Sequence, residues 1–414
     1  MLRRIPDRNI WTVYSAILLL GIAYGTSLAV LSIHLDALGI AKVAMGWLAF
    51  AFGLGIVSFS VPAGILSKKL GPKPILVAAL LGYTLCVATF PFLGTLATLA
   101  IARFFDGVFS VNVWVSAETA LLSRSQKDQK GFVMSLYAIS IALGYVVGPI
   151  LSRILVPLGT TSAFLAAGAL ATVAALVVLF KLDGSSKADG ESAHALTSES
   201  AEKRAANSAA TIFWKVKTAC AATFSYGYFQ ASVVLFLPLY LIEAKGIAKN
   251  QTILIPAFFA GGMLLTSTVA GLIGDRFGHL FVMRILGIIG GTMVASFVLL
   301  SAFPAMCVAV FVAGATLASI SPLSLALQGV VTPEADLGLA NSFYNAFYAT
   351  GMLLGPPISG FLFMRWGGGT MLLHLAGMWA LFVVLTVIFA SDDPRYAARR
   401  ARPSEDRDAE PMLR

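Results

Sequence analysis

Charge is what this sequence is short of. Asp, Glu, Lys and Arg make up 12 % of the 414 residues against 58 % hydrophobic, and mean hydropathy is +0.85. A water-soluble domain carries about 25 % charged residues to cover its surface. A soluble globular fold is therefore excluded. Cysteine is scarce too. Cys86, Cys220 and Cys307 are odd in number and sit in apolar stretches, so they read as small core residues and not as a disulfide framework or metal site. The chain has no HExxH pair, no phosphate-binding glycine loop and no Cys/His cluster. Their absence argues against a membrane-embedded enzyme or receptor, against direct ATP use, and against any metal or other cofactor. Short alternating segments of the kind a spanning β-barrel needs are missing as well. No cleavable signal peptide is expected, because the first apolar run is too long and no processed small-residue site follows it.

What the chain does have is long apolar runs. A helix needs ~20 mostly apolar residues to cross ~30 Å of hydrocarbon. Twelve such segments are readable, at 11–34, 44–66, 74–94, 96–122, 131–153, 160–181, 212–242, 251–273, 281–303, 304–329, 337–364 and 370–390. In lipid only helices and closed barrels satisfy their own backbone, and runs this long and continuous are helices.

The chain also repeats itself. An offset of 207 residues separates Gly64 from Gly271, Gly71 from Gly278, and GYVVGP at 144–149 from GMLLGP at 351–356. Over the twenty residues from Gly131 and from Gly338, seven positions are identical: Gly131, Ser135, Tyr137, Ala142, Gly144, Gly148 and Pro149. Two homologous halves in an apolar chain are the mark of a repeat-built transporter with a central site. The expected fold class is an all-α membrane protein, with twelve transmembrane helices in two pseudo-symmetric six-helix bundles. Residues 1–181 form the N-terminal bundle and 212–391 the C-terminal one. The stretch 182–211 is rich in Ser, Ala and charge and reads as a flexible linker, and 392–414 as a tail.

Lysine and arginine give the orientation. All but six of the 29 lie at the N-terminus, in the even-to-odd loops, in the linker or in the tail. Five fall in the opposite loops (Lys42, Arg153, Lys245, Lys249, Arg365), and Arg103 lies inside segment 4. The bias predicts both termini in the cytoplasm of a bacterial inner membrane. The net charge of +9 is then topological, and a nucleic-acid partner is not indicated. A monomer in the lipid bilayer is expected.

These residues carry a resemblance. The chain resembles the major facilitator superfamily, and within it the twelve-helix bacterial drug/proton antiporter branch. The loop after segment 8 is similar to the family signature G-x-L-x-D-R-x-G-R-K, through Gly271, Ile273, Asp275, Arg276 and Gly278. Segment 4 carries Arg103-Phe-Phe-Asp106-Gly107, similar to R-x-x-Q-G, and segments 5 and 11 carry G-x-x-x-G-P, associated with antiporters. The loop after segment 2 departs from the signature, with Lys68 at the aspartate position and Pro72 at a later arginine position. In the resembled family that aspartate latches the two halves on the cytoplasmic side, near the start of helix 11. Here that region holds Glu334 and Asp336. The resemblance therefore implies a charge-swapped cytoplasmic gate of Lys68 and Lys69 against Glu334 and Asp336. A second gate would set Asp275 and Arg276 near Arg124, Lys127 and Lys130. Plain positive-inside charge is the competing explanation.

Gly144 and Gly148 share one helix face and let another backbone come close, and Pro149 can bend the helix. Gly351, Gly355 and Pro356 repeat the device, extended by Pro357 and Gly360. The glycine face is expected either as the contact where the halves rock or as ordinary helix packing.

Ionisable residues in hydrocarbon are costly and usually functional. Arg103 and Asp106 lie three apart on one face of segment 4, with Asp106 roughly 15 Å from the outer end at 1.5 Å per residue. Asp106 is expected either as the proton-carrying carboxylate, tuned by Arg103, or as half of a permanent structural pair. Glu118 has no basic residue at helical spacing, so a proton is what would neutralise it, unless it sits at the water interface. His34 and Asp36 end segment 1, as interfacial groups or an outer proton entry. Tyr24, Asn112, Trp114, Tyr226, Tyr228, Gln230 and Gln328 are candidate cavity residues. So are Tyr344, Asn345 and Tyr348, which with Asn341 form a polar stripe on segment 11, unless that stripe only joins helices. Such a site is aromatic and poor in fixed charge, and suits a lipophilic or cationic small molecule. The expected function is a proton-coupled exporter working by alternating access. The alternative is a proton symporter or facilitator for a small polar nutrient on the same fold.

Overall fold

A computed structural model describes residues 7–125, 130–183, 200–332 and 337–393. Twelve long helices run through them. In the first half these are α1 (Arg8–Ala37), α2 (Lys42–Leu70), α3 (Pro72–Thr89), α4 (Leu96–Arg124), α5 (Lys130–Leu155) and α6 (Thr160–Lys181). In the second they are α7 (Ser200–Lys245), α8 (Ile255–Phe277), α9 (His279–Ser296), α10 (Phe303–Val331), α11 (Leu337–Trp366) and α12 (Gly368–Ile388). Eleven spans among the described residues are long and apolar enough to cross a membrane. The 23 residues of α8 would reach about 35 Å, also a crossing length. The chain is a multi-pass membrane protein.

One boundary differs from expectation. The stretch 182–211 is not linker throughout, because α7 begins at Ser200. Residues 201–210, AEKRAANSAA, are mostly strong helix formers, and they extend the apolar helix that follows.

The turns repeat as the sequence does. Gly39 and Gly246 both take positive φ, 72° and 65°, and Gly71 and Gly278 do the same at 85° and 103°. Each pair is separated by 207 residues, and each glycine sits where a helix must reverse within a few residues. Gly159 and Gly367, at 99° and 85°, are 208 apart, so the second half carries one extra residue between Pro356 and Gly367.

Helix packing shows the same symmetry. α1 packs on α5 and α6, α3 on α4 and α6, and α2 on α4. Their counterparts pair alike: α7 with α11 and α12, α9 with α10 and α12, and α8 with α10. The halves meet through α2 against α11 and α5 against α8. At the end bearing the termini, each half is tied shut. Asn9 Nδ2 donates to Asp183 Oδ2 at 3.1 Å, and the Asp183 N–H donates back to Asn9 Oδ1 at 2.9 Å. In the second half Lys217 pairs with Asp392 at 2.7 Å, and Asp393 accepts the Leu280 N–H at the start of α9, at 3.0 Å.

The glycine faces lie inside the halves. A side chain on Gly144 or Gly148 would run into the backbone of Gly21, Gly25 and Thr26 on α1. Gly351 and Gly355 press on α7 at Phe224, Tyr228 and Ser232. The expected rocking contact between halves is thus corrected for these four glycines. A G-x-x-x-G face requires a close neighbour but does not say which helix that is. The extension does cross between halves. A Cβ on Gly46 of α2 would stand 2.6 Å from the Pro356 carbonyl and 2.8 Å from Pro357, and one on Gly360 2.6 Å from the Lys42 carbonyl.

Candidate functional site

A cavity of about 380 Å³ lies where the halves face each other. The first half supplies α1, α2, α3, α4 and α5 to its wall, and the second α7, α8, α10 and α11. Its first-half wall is a connected polar chain set among rings. Arg103 Nη1 donates to Asp106 Oδ2, and both residues are buried. Ser110 donates to Asp106 Oδ1 at 3.3 Å, and the Tyr24 hydroxyl donates to Ser110 at 2.7 Å. The spacing of Arg103, Asp106 and Ser110 on one face of α4 produces this line. The guanidinium stands 4.3 Å from the centre of the Phe52 ring on α2, a cation–π contact. The Tyr24 ring meets Tyr83 edge-on at 4.8 Å and stacks with Tyr145 at 6.3 Å. Trp114 tilts toward it at 6.3 Å, and its indole nitrogen is buried with no partner seen.

The second-half wall is neutral. The Tyr348 hydroxyl donates to Gln230 Oε1 at 2.9 Å, and the Tyr348 ring stacks on Tyr226 at 6.2 Å. Tyr226 reaches Met263 Sδ at 4.0 Å. Phe259 and Met352 complete an aromatic and thioether surface. The arrangement offers ring faces, a few hydroxyl and amide groups, and one ion pair that neutralises itself. It suits a ligand of low polarity or a delocalised cation.

Of the cavity residues expected from sequence, Tyr24, Trp114, Tyr226, Gln230 and Tyr348 line it. Five do not. Asn112 is buried with its amide donating to the Val108 carbonyl at 2.7 Å, a bond within its own helix. Tyr228 turns to α12, where its hydroxyl meets His374 Nε2 at 2.8 Å. Tyr344 is held between Ser321 and Ser324 of α10, at 3.2 and 3.1 Å. Gln328 is buried away from the cavity, and Asn345 is exposed. The stripe on α11 therefore joins helices over part of its length and lines the cavity at Tyr348 alone among its described side chains. Asn341's side chain lies outside them. The shared reason is that helical spacing fixes which residues share a face and leaves open which neighbour the face meets.

Glu118 is half-buried, off the cavity, with Tyr137 within electrostatic range. No hydrogen bond or ion pair to it is seen among the described residues. At the expected latch, Glu334 and Asp336 lie outside the described residues, as do the side chains of Lys68 and Asp275. Lys69 is exposed, and Arg276 lies 5.4 Å from the Phe277 ring. His34 is buried and donates to, or accepts from, Thr160 at 2.8 Å.

Sequence reasoning missed the tie at the opposite end. Lys42 of α2 bridges to Glu243 of α7 at 2.6 Å and lies 5.5 Å from the Phe363 ring of α11. A signal was present: the repeat twins of Lys42 and Glu243 are Lys249 and Asp36, a matching pair of charges. Tyr83, Tyr145 and Phe52 were also missed, being aromatic residues in apolar runs with no charged residue nearby to mark them. No cluster of potential metal ligands occurs among the described residues.

Comparison with known proteins adds the lineage. The family model described as Major Facilitator Superfamily matches residues 13–248 and again 219–411. The chain is 24 % identical over 371 residues to the uncharacterized MFS-type transporter YfkF of Bacillus subtilis (strain 168), covering 88 % of this chain and 92 % of that one. It is 22 % identical over 400 residues to the probable sulfoacetate transporter SauU of Cupriavidus necator, covering 89 % and 91 %. Among solved structures it superposes on the nucleoside transporter NupG with TM-score 0.75 and 13 % identity, over 92 % of this chain and 99 % of that one. A bacterial homologue of the human lysosomal transporter Spinster, inward-facing and occupied, gives TM-score 0.69 and 12 % identity, over 97 % and 98 %.

Proposed function

The chain belongs to the Major Facilitator Superfamily and is a membrane transporter, not an enzyme; from that premise we propose that it exports small lipophilic or cationic compounds in exchange for protons. The observation that carries this reading is the cavity wall. Ring faces from Tyr24, Tyr83, Trp114, Tyr145, Tyr226 and Tyr348 surround a site whose formal charge is the Arg103–Asp106 pair. A cation over such rings gains roughly 0.5–2 kcal/mol per ring, more as water is excluded. Asp106 is the proton carrier in this reading. Protonation breaks its pairing with Arg103, and the change in cavity charge is what the substrate senses. The protein sits in the bacterial inner membrane as a monomer with its termini in the cytoplasm, as the lysine and arginine bias supports. The Lys42–Glu243 tie then closes the outer side, and the halves exchange access by rocking.

One observation favours the second reading, a symporter for a small polar metabolite. Arg103 lines the cavity and could serve a substrate anion, and the Cupriavidus necator relative is named for a sulfonate. Proteoliposomes with an imposed pH gradient separate the two. Counter-gradient movement of tetraphenylphosphonium or ethidium is expected, and uptake of sulfoacetate or a nucleoside together with protons would replace the export reading.

A further inference from the structure

A second, smaller void also touches the Arg103–Asp106 pair. It measures about 20 Å³ and is bounded by Cys86, Val87 and Phe90 of α3 and its end, Ala102 of α4 and Phe164 of α6. Ser27, Leu28, Leu31, Arg103 and Asp106 line both this void and the central cavity. The ion pair is therefore common to the walls of both spaces. A site of about 10–15 Å³ by this measure holds one water, provided it offers two to four polar partners. Ser27 Oγ, the Arg103 guanidinium and the Asp106 carboxylate are polar groups on its wall.

His34 stands beyond this void. Its ring meets Phe164 at 5.2 Å and Phe90 at 6.2 Å, the same two rings that close the void. Thr160 holds Nδ1 at 2.8 Å, while Nε2 is buried and has no hydrogen-bond partner. A buried imidazole nitrogen without a partner is costly and calls for an explanation. His34 lies three residues before the end of α1, beside the first residue of α6, at the end of the molecule away from the termini. Every residue in this series belongs to the first half.

We propose that His34, the void and Asp106 form a proton route through the first half alone, separate from the substrate cavity. The proposal rests on the proton-coupled reading and on cytoplasmic termini, which put His34 on the outer side. A proton from outside binds one imidazole nitrogen, and the imidazolium gives up a proton to the water in the void. That water passes a proton to an Asp106 oxygen. The carboxylate becomes a neutral carboxyl, His34 returns to its neutral form, and Arg103 keeps its charge. Phe90 and Phe164 stand between His34 and the void as an apolar plug. The plug prevents a leak while Asp106 faces the cavity, and it must part for loading. The groups facing Asp106 are Arg103 on its own helix, Tyr24 of α1, Tyr83 and Cys86 of α3, and Tyr145 of α5. Those facing His34 are Thr160 and the two phenylalanines, with Asp36 two residues further along α1.

The test needs no transported substrate. Purified protein is reconstituted with its outer face outward and given an external acid jump. The infrared carbonyl band of a protonated carboxyl is followed in time and assigned with Asp106→Asn. His34→Gln, which keeps a partner for Thr160, and Ala102→Val, which fills the void, should each slow the band's rise roughly 100-fold, the scale of a lost proton-transfer group. Phe164→Ala should speed it. Thermal unfolding, unchanged among the variants, separates a lost route from a lost fold. Wild-type rates in both His34→Gln and Ala102→Val would overturn the route and leave Asp106 as carrier. A band that survives Asp106→Asn would overturn the route together with the coupling reading on which it rests.

Discussion

The two halves share a backbone plan and differ in charge. On α4 the first half places Arg103, Asp106 and Glu118 within the membrane. The twin positions on α10 are Val310, Ala313 and Leu325. The glycine faces, the reversing turns and the order of helix packing are held in common. Packing therefore constrains both copies alike, while the buried charge pair belongs to one. An ionised group in hydrocarbon is tolerated where a function requires it, and on the proton-exchange reading proposed above one carrier in one half would be enough. The second half keeps the neutral amide and ring surfaces that a substrate of low polarity would meet.

The largest effect expected of this asymmetry is at Asp106. Asp106→Asn should abolish transport driven by a pH gradient while probe binding, read by tryptophan quenching, persists. Glu118→Gln should leave coupling intact, since Glu118 lies off the cavity. Normal gradient-driven transport in Asp106→Asn would remove the carrier from α4. The mirror change, Ala313→Asp, puts a carboxylate at the twin position with Val310 where an arginine would be needed. It should lower folded yield and create no second coupling site, which size-exclusion profiles and flux together would show.

The shared seams should respond alike. Gly148→Val and Gly355→Val each force a side chain against a facing backbone, and overpacking of that kind costs about 1–3 kcal/mol or more. Both should lower the unfolding temperature by similar amounts. A large loss in one half alone would mean that the halves are not mechanically equivalent.

Smaller again is the tie at the end away from the termini. Glu243 is 39 % exposed in its side chain and Lys42 22 %, so the pair contributes about 0–1 kcal/mol. Lys42→Glu should shift the molecule toward outward opening, and Glu243→Lys added to it should restore part of the original balance. Cysteine accessibility in the cavity reads this as a double-mutant cycle. Strict additivity would show that the charges ignore each other. The weakest effect is expected at the loop after α2, which is cytoplasmic on the proposed orientation. Lys68→Glu should slow export modestly, and Glu334→Lys or Asp336→Lys should recover some of it. No recovery in either double variant would leave Lys68 as a topology signal only.

Much of the fold is legible in the chain itself. Long apolar runs dictate helices, and one constant offset dictates two matched halves. The site is legible where chemistry is expensive: Arg103 and Asp106 stand out because charge in hydrocarbon demands a reason. It is poorly legible where the clue is polarity on a helix face. Tyr228, Tyr344 and Asn112 are as polar as Tyr226 and Tyr348, yet they point at other helices or their own backbone. Tyr83, Tyr145 and Phe52 line the cavity without any local sign, because only the neighbouring helix makes a ring a wall. The start of α7 falls earlier than expected because composition alone marks 200–211 as polar, whereas its alanine, glutamate, lysine and arginine favour a helix.

The clasp between Asn9 and Asp183 bears on how the protein is made. It joins the first turn of α1 to the residues just past α6, so every group it needs has been synthesised once the sixth helix is made. The α1–α5 seam is complete by then as well. Nothing in the first half's own packing waits for α7, and domains of long chains generally fold as units in order of synthesis. The contacts that close the first half on itself thus need no residue of the second. A chain cut between Asp183 and Ser200, with both pieces expressed together, should therefore still yield a paired transporter.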